Sequence, residues 1–382
     1  FILIVIISLP YVIVGFMYEP IKHSNLINIC YMASLFVIAE LIKSFLFGGF
    51  SWLLLGQSQN QTIFDIVYPI FGSSAVSFIV VFLSGIFYRT IAEKNKDYSI
   101  GYIGLIVLYL IPYSTQNNYD HNDALSYTIY QPNLYPDVSY NEKEYSRITE
   151  KYLGVLRDNK SSDIIIFPET ILPIPLNVNI PFFKSLQSST SNNNILITGL
   201  FTKNNNKFYN SMIFFSDEIN IYNKRKLVPF GEYTPWYDSL FELSKIMDIP
   251  LSNLSHGEKY NNIHLANVDI IPMICFESTF PRLIESSSDN EIIVNISNDG
   301  WFGRSLAAHQ HLQITQIRAL EFNRFILRAT NTGISAVISN DGQILDYIEN
   351  DVEGTMKGKI PIKMSRSLYS EYGDIWILML IF

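Results

Sequence analysis

The chain has 382 residues, of which 48% are hydrophobic and only 16% charged, with a formal net charge of −8. That length accommodates two domains, and the low charge density argues against a wholly soluble protein. The negative balance excludes the basic surface that nucleic acid requires.

Apolar residues crowd the first 113 positions. Four segments there reach or approach bilayer-spanning length: Phe1–Met17, Ile27–Phe47, Ile63–Phe87 and the shorter Ile100–Tyr113. Ile375–Phe382 reads as the beginning of a fifth. The chain starts and stops inside such runs and does not begin with Met, so a piece of a longer protein is expected. The first run lacks the basic leader and small-residue cleavage site of a signal peptide. Lys22 follows the first segment, and Arg89, Lys94 and Lys96 follow the third, whereas the loop over 48–62 has no Lys or Arg. Cytoplasmic loops collect positive charge, so loops one and three are expected inside and the long stretch after Tyr113 outside.

Glu40 and Lys43 stand three apart, on one helical face near the outer end of the second segment. They read as snorkelling charges in preference to functional ones. The aromatic stretch Phe47–Trp52 and the polar Gly56–Gln61 then form an outer loop, either an interfacial belt or a lid or lipid portal under the domain. The cysteines, Cys30 and Cys275, fall in different regions, so a disulfide is not expected and the redox compartment stays open.

Residues 113–123 are polar and read as a linker, dividing membrane helices over 1–113 from a globular domain over 114–373, with 374–382 opening a last helix. Within the domain, strands are predicted over Leu125–Tyr130, Ile164–Phe167, Asn194–Leu200, Val268–Ile274 and Ile292–Ile296. Helices are predicted over Asn141–Leu156 and His309–Leu327, with hairpins at Met212–Phe215/Asn220–Tyr222 and Ile334–Ser339/Ile344–Ile348. Strands alternating with helices early and hairpins late indicate an α/β sandwich with a covered sheet.

Three strand ends carry chemistry. Cys275 closes Val268–Ile274 at the rim of a sheet, where a strand fixes the Cα and a turn leaves the thiol open; a small buried hydrophobe is the plainer reading. Glu169 follows a buried run, where a carboxylate is a competent base, or else a helix N-terminal charge. Lys224 ends another strand, where an ammonium can stabilise an oxyanion and favour a thiolate, or else join a solvated basic turn with Arg225 and Lys226.

In this order, FPET around Glu169, YNKRKLVPFGEYTP around Lys224 and ICFES around Cys275 resemble the Glu, Lys and Cys motifs of the nitrilase (carbon-nitrogen hydrolase) superfamily. With the membrane segments in front, and with the stretch Asn298–Ile338, NDGWFGRSLAAHQHLQITQIRALEFNRFILRATNTGISAVI, the sequence is similar to the apolipoprotein N-acyltransferase family. The resemblance implies a membrane helical bundle followed by a nitrilase-type α-β-β-α sandwich, in the bacterial inner membrane with the catalytic domain in the periplasm. It implies Glu169 as general base, Lys224 as oxyanion stabiliser and Cys275 as nucleophile, without metal or organic cofactor. A phospholipid would give its acyl chain to Cys275 as a thioester, and the α-amine of a diacylglyceryl-cysteine apolipoprotein would take it as an amide. A monomer is expected.

Glu232, eight residues after Lys224, matches a second glutamate of the family and is expected to orient the lysine or share the proton work; a surface carboxylate is the alternative. Glu277 is expected to neutralise Lys224 or brace the loop. Trp301, with Phe302, is expected to wall the thiol or to be packed away, and Tyr140 stands where some family members carry Trp. His309 and His311 are two apart, the wrong spacing for shared metal ligation on a helix. Asn298, Arg318 and Arg328 are expected in ordinary pairing in preference to headgroup binding. A membrane-anchored amidase is the alternative enzyme, and a non-catalytic scaffold the third reading. Several spans favour the acyltransferase, because a hydrolase of soluble amides needs only one anchor.

Overall fold

In the computed structural model the sequence divides into two units, residues 1–117 with 320–323 and 366–382, and residues 118–319 with 324–365. The structure describes residues 2–18, 25–92, 124–134, 142–190, 194–234, 253–258, 263–265 and 268–380. Tyr140, the predicted segment Ile100–Tyr113, the linker after it, and Lys22, Lys94 and Lys96 lie outside those residues.

The first unit contains helices α1 (Ile2–Met17), α2 (Asn25–Phe45) and α3 (Tyr68–Ala92). Of these, α2 and α3 are long and apolar enough to cross a membrane, and α1 is a shorter apolar helix. The third predicted segment starts late. Ile63–Ile66 forms a separate 3-10 turn, in which Phe64 N donates to Thr62 Oγ1 at 3.2 Å. The helix begins at Tyr68, with Pro69 in its first turn, where the missing N–H costs nothing, and it breaks at Gly72, φ 75, before running on. Ile375–Leu380 forms a 3-10 helix.

Glu40 and Lys43 do not snorkel, for each is only 3% exposed. Lys43 Nζ donates to the carbonyls of Trp52 at 3.0 Å and Leu53 at 3.1 Å, while Leu55 N donates to Glu40 Oε1 at 2.6 Å. The loop between α2 and α3 is irregular, with Leu53 at φ 58, and its buried backbone groups need partners that no regular ladder supplies. The two charges provide them. Trp52 is itself buried, so it is not displayed as an interfacial belt residue.

The second unit holds two mixed six-stranded sheets. The first is built from β1 (Ala124–Gln131), β2 (Ile164–Ile166), β3 (Ile195–Asn204), β4 (Lys207–Phe215) and β5 (Ile219–Asn223), closed on its other side by β12 (Gly354–Pro361) beside β1. The second runs β11-β10-β9-β8-β7-β6. Its strands are β6 (Ile263–Leu265), β7 (Val268–Ile274), β8 (Glu291–Ser297), β9 (Ile326–Thr330), β10 (Ser335–Ile338) and β11 (Ile344–Ile348). Parallel pairing joins β1, β2 and β3, and likewise β7, β8 and β9.

Side-chain alternation builds the layers. Ile129, Ile164, Ile166 and Phe214 of the first sheet meet Ile274, Val294, Ile296 and Leu327 of the second in one core. Each such buried side chain contributes about 1.5–3 kcal/mol. On its other face the first sheet turns Ile165, Leu196 and Phe215 toward Tyr152 and Leu156 of α4 (Glu142–Asp158) and Phe183 and Leu186 of α5 (Pro181–Ser188). The second sheet turns Asn295 and Arg328 the opposite way from its core, and Arg328 Nη1 donates to Thr315 Oγ1 of α6 (Ala307–Phe322) at 3.4 Å. The expected α-β-β-α sandwich is therefore what forms.

The helix predicted over His309–Leu327 stops at Phe322, because Asn323 takes the left-handed conformation, φ 52, that ends a helix. The chain then enters β9. The hairpin of β10 and β11 pairs as expected but does not close the domain, since β12 returns to the first sheet.

Candidate active site

Cys275 is the first residue after β7, at the start of a 3-10 turn, and its φ is +50. A non-glycine residue held there costs about 1–3 kcal/mol, and such strain persists only where neighbours over-determine it. Glu277 supplies one restraint: its Oε2 accepts from Ile274 N at 2.8 Å. Its Oε1 accepts from Arg225 N at 2.6 Å, Lys226 N at 3.1 Å and Tyr222 Oη at 2.9 Å. Glu277 is wholly buried and ties the nucleophile turn to the backbone that follows β5. Of the two expectations for it, bracing is the one the hydrogen bonds describe.

Glu169 leaves β2 through Phe167 and Pro168, and Gly199 of β3 allows it to. A Cβ on Gly199 would lie 2.5 Å from the Cα of Glu169, so only glycine admits this approach. The carboxylate is 6% exposed. Its Oε1 accepts from Asn210 Nδ2 at 2.6 Å and from Lys224 Nζ at 3.3 Å, and its Oε2 accepts from Asn298 N at 2.8 Å.

Lys224 directly follows β5 and is 1% exposed, so the solvated-turn reading does not describe it. Burying a lone ammonium costs several kcal/mol, and two carboxylates meet that cost. Nζ lies 2.8 Å from Glu232 Oε1 as well as near Glu169. Burial works to lower its pKa, but Glu169, Glu232 and Cys275 together lift it well above the usual lysine value, so it is a fixed cation. Glu232 is no surface carboxylate; its Oε2 also accepts from Val228 N at 2.8 Å.

The Cys275 thiol shares the field of these groups. Burial pushes its pKa up, the Glu169 carboxylate pushes it further, and Lys224 only partly pulls it back. Lysine thus favours the thiolate, as expected, but does not win. A thiol whose pKa is raised in this way needs a base at the moment it attacks. The structure therefore brings Glu169, Lys224 and the partly buried Glu232 into direct contact, sets the buried Cys275 thiol in the field of Glu169 and Lys224, and ties its turn down through Glu277.

Family comparisons follow the same division of the chain. The carbon-nitrogen hydrolase family model matches residues 128–369, and the apolipoprotein N-acyltransferase N-terminal domain model matches residues 1–86. The apolipoprotein N-acyltransferase of Coxiella burnetii is 32% identical over 366 residues, covering 90% of this chain and 74% of that protein. The chain belongs to the apolipoprotein N-acyltransferase family. The apolipoprotein N-acyltransferase of Pasteurella multocida is 28% identical over 386 residues, 93% of this chain and 73% of that protein. A solved CN-hydrolase superfamily protein from Xanthomonas campestris is similar at 15% identity over 68% of this chain and 97% of that one, with a TM-score of 0.48. Membership makes this a chain of an acyltransferase family associated with membranes.

Two arrangements in this apolipoprotein N-acyltransferase family member escaped the sequence reading, which weighed His311 only for metal ligation and Arg328 only for headgroup binding or ordinary pairing. Asn210 bridges the carboxylates, its Nδ2 donating also to Glu232 Oε1 at 2.9 Å; its only signal was an amide inside the apolar run of β4. Asp299, His311 and Arg328 form a buried network behind the thiol. Asp299 Oδ1 lies 3.0 Å from His311 Nδ1, and Asp299 Oδ2 accepts from Arg328 Nη2 at 2.8 Å. Burial opposes ionisation of Asp299, but Arg328 and then His311 hold its carboxyl well below the usual range. Arg328 is thus in ordinary pairing, as expected. His311 and Thr315, four apart on the buried face of α6, were a readable sign that this face is polar at one end.

Cys275, Asp299 and His311 bring ligand-type atoms within 4.8 Å of one another. Those of Asp299 and His311 are committed to hydrogen bonds, and the Arg328 guanidinium sits among them, so the charge of a cation would be opposed there. Trp301, two residues past Asp299, is 79% exposed and not packed away. Phe302 instead turns its ring edge-on to His311, with 6.2 Å between centroids.

Proposed function

We propose that this chain transfers a fatty acyl group from a phospholipid, through a thioester on Cys275, to the N-terminal α-amine of a diacylglyceryl-cysteine apolipoprotein. The observation that carries the reading is the burial of Lys224 between Glu169 and Glu232, in the field of a buried Cys275 held at positive φ, in a chain whose relatives are apolipoprotein N-acyltransferases.

In the first half-reaction Glu169 takes the thiol proton as sulfur attacks the ester carbonyl. The ammonium of Lys224 stabilises the oxyanion, a contribution of several kcal/mol in a water-poor site. Collapse breaks the ester C–O bond, and Glu169 gives its proton to the departing oxygen, so that the lysophospholipid leaves as an alcohol and the carboxylate is restored. In the second half, the neutral α-amine attacks the thioester carbonyl. Glu169 accepts the proton from nitrogen and returns it to the departing sulfur, leaving an amide and the free thiol. A thioester is a good acyl donor to an amine, which makes a two-step route better than direct aminolysis of an ester.

Glu232 and Glu277 support this chemistry, the first by holding Lys224 and the second by holding the nucleophile turn. Exposed Trp301 and, outside the described residues, Tyr140 are the proposed apolar contacts for substrate. The apolar helices support a place in a membrane; that it is the bacterial inner membrane, with the catalytic unit in the periplasm and a monomer that uses no cofactor, belongs to the same proposal. The test is to incubate the protein with phospholipid and read intact mass. Wild type should gain one fatty-acyl mass that is absent in Cys275→Ala. No adduct on wild type, or one that persists in the alanine variant, overturns the proposal.

A further inference from the structure

The left-handed backbone of Cys275 is restrained on its amide side by Glu277, and its carbonyl side has a restraint of its own. His311 Nε2 lies 3.0 Å from Cys275 O and 2.9 Å from Ser278 Oγ. A carbonyl only accepts, so Nε2 carries the hydrogen and donates it. His311 is wholly buried, and both its ring nitrogens are engaged inside the protein, which leaves neither for substrate.

The other ring nitrogen sits in a cradle that suits either protonation state. Nδ1 is 3.0 Å from Asp299 Oδ1 and 3.1 Å from Arg328 Nη2. The neutral ring accepts there from Arg328, and the charged ring donates there to Asp299. In both cases Nε2 keeps its hydrogen, so the bond to Cys275 O survives titration. Asp299 is fixed in turn by Ser297 Oγ, which donates to Oδ1 at 2.7 Å, and by Arg328, whose Nη1 also donates to Asn295 Oδ1.

Asp299 is also the neighbour in sequence of Asn298, whose backbone N–H donates to Glu169 Oε2 at 2.8 Å. One short path therefore runs from the carbonyl of the nucleophile, through His311 and Asp299, to the amide that holds the carboxylate. We propose that His311, oriented by Asp299 and Arg328, is a positioning residue that sets the Cys275 turn against Glu169. The proposal rests on the acyl-transfer reading for what the alignment serves, but the alignment is measurable without any acyl donor.

The experiment uses the full chain with His311→Leu, which removes the donor, and His311→Gln, which can offer an N–H at similar reach. Cys275 is alkylated with iodoacetamide and followed by peptide mass, which separates it from Cys30, and acyl-adduct formation is followed with phosphatidylethanolamine vesicles. In His311→Leu, Cys275 alkylation should slow about ten-fold and the saturating rate of adduct formation should fall about 100-fold, with the half-saturating lipid concentration within about two-fold of wild type. His311→Gln should recover most of both rates across neutral pH. Wild-type alkylation and adduct rates in folded His311→Leu overturn the proposal, as does a loss that glutamine does not recover. Should His311→Leu fail to fold, Asp299→Asn carries the test, since a fall in saturating rate at unchanged half-saturation supports the proposal and a wild-type rate overturns it. If wild type forms no adduct while the alkylation difference stands, the acyl-transfer reading falls and the positioning role remains.

Discussion

The ammonium of Lys224 is nearer to Glu232 than to Glu169, 2.8 Å against 3.3 Å. Asn210 Nδ2 spans the same two oxygens in the opposite order, 2.6 Å to Glu169 and 2.9 Å to Glu232. The lysine is thus shared, with its shorter bond to the carboxylate that takes no proton in the proposed chemistry. A cation bound to Glu169 alone would hold that carboxylate ionised and make it a weaker base.

Glu232→Gln should therefore slow acylation without abolishing it. With one charge removed, Lys224 settles on Glu169, and the rate of thioester formation should fall by about 10–100-fold, the range for loss of an orienting partner. Time-resolved intact mass at saturating phospholipid measures this. A wild-type rate would show that Glu232 is a bystander.

Glu169→Gln should separate thiol acidity from thiol chemistry. The negative charge of Glu169 is the second cause, after burial, that raises the Cys275 pKa, so its removal favours the thiolate and lowers that pKa. Lys224→Met should act with the opposite sign, because it removes the group that stabilises the thiolate. The pH midpoint for alkylation of Cys275 should move down in the first variant and up in the second. Acyl transfer should be lost in Glu169→Gln all the same, since no base remains to take the proton. An alkylation midpoint that rises in Glu169→Gln would contradict the electrostatics of the site.

The backbone at Cys275 reverses an ordinary substitution order. At φ +50 an alanine keeps the steric penalty that glycine avoids. Both Cys275→Gly and Cys275→Ala lose the nucleophile, yet the glycine variant should be the more stable by about 1 kcal/mol. Denaturation midpoints of the two variants under one set of conditions give the comparison. Equal or higher stability of the alanine variant would mean that the turn relaxes on losing its sulfur.

What the sequence could and could not show follows from the range of the forces involved. Val268–Ile274, apolar but for Asp269, and the wholly apolar Ile164–Phe167 were legible as strands because such runs suit a strand buried on both faces of a sheet. Glu169, Lys224 and Cys275 were legible as chemistry because each ends such a run and because the surrounding motifs resemble those of a known superfamily. The end of α6 was not, since Phe325, Ile326 and Leu327 continue the apolar pattern while a single left-handed Asn323 breaks the helix. The contacts of His311 and Asn210 were missed for a further reason. Their partners are set by sheet register, such as the pairing of Asn295 with Arg328, and no local pattern carries that information. Reading Glu40 and Lys43 as snorkelling charges on one helical face was a local inference, and it overlooked the loop that folds back onto them.

That loop yields the last prediction. Lys43 Nζ serves the carbonyls of Trp52 and Leu53, and Leu53 is itself left-handed at φ 58. Gly56 N donates to Ser77 Oγ at 2.7 Å and Tyr68 Oη donates to Gly56 O at 2.7 Å, so the far end of the loop is held by α3 independently of Lys43. Lys43→Met keeps the length and apolar stem of the side chain but leaves two buried carbonyls without their donor. Each lost partner costs about 1–3 kcal/mol, enough to open this segment locally before the helices separate. Deuterium uptake should therefore rise over residues 50–54 in Lys43→Met, while the peptide around Gly56 stays close to wild type. Uptake that rises equally at both ends would show that the loop opens as one body and that Lys43 is not its local anchor.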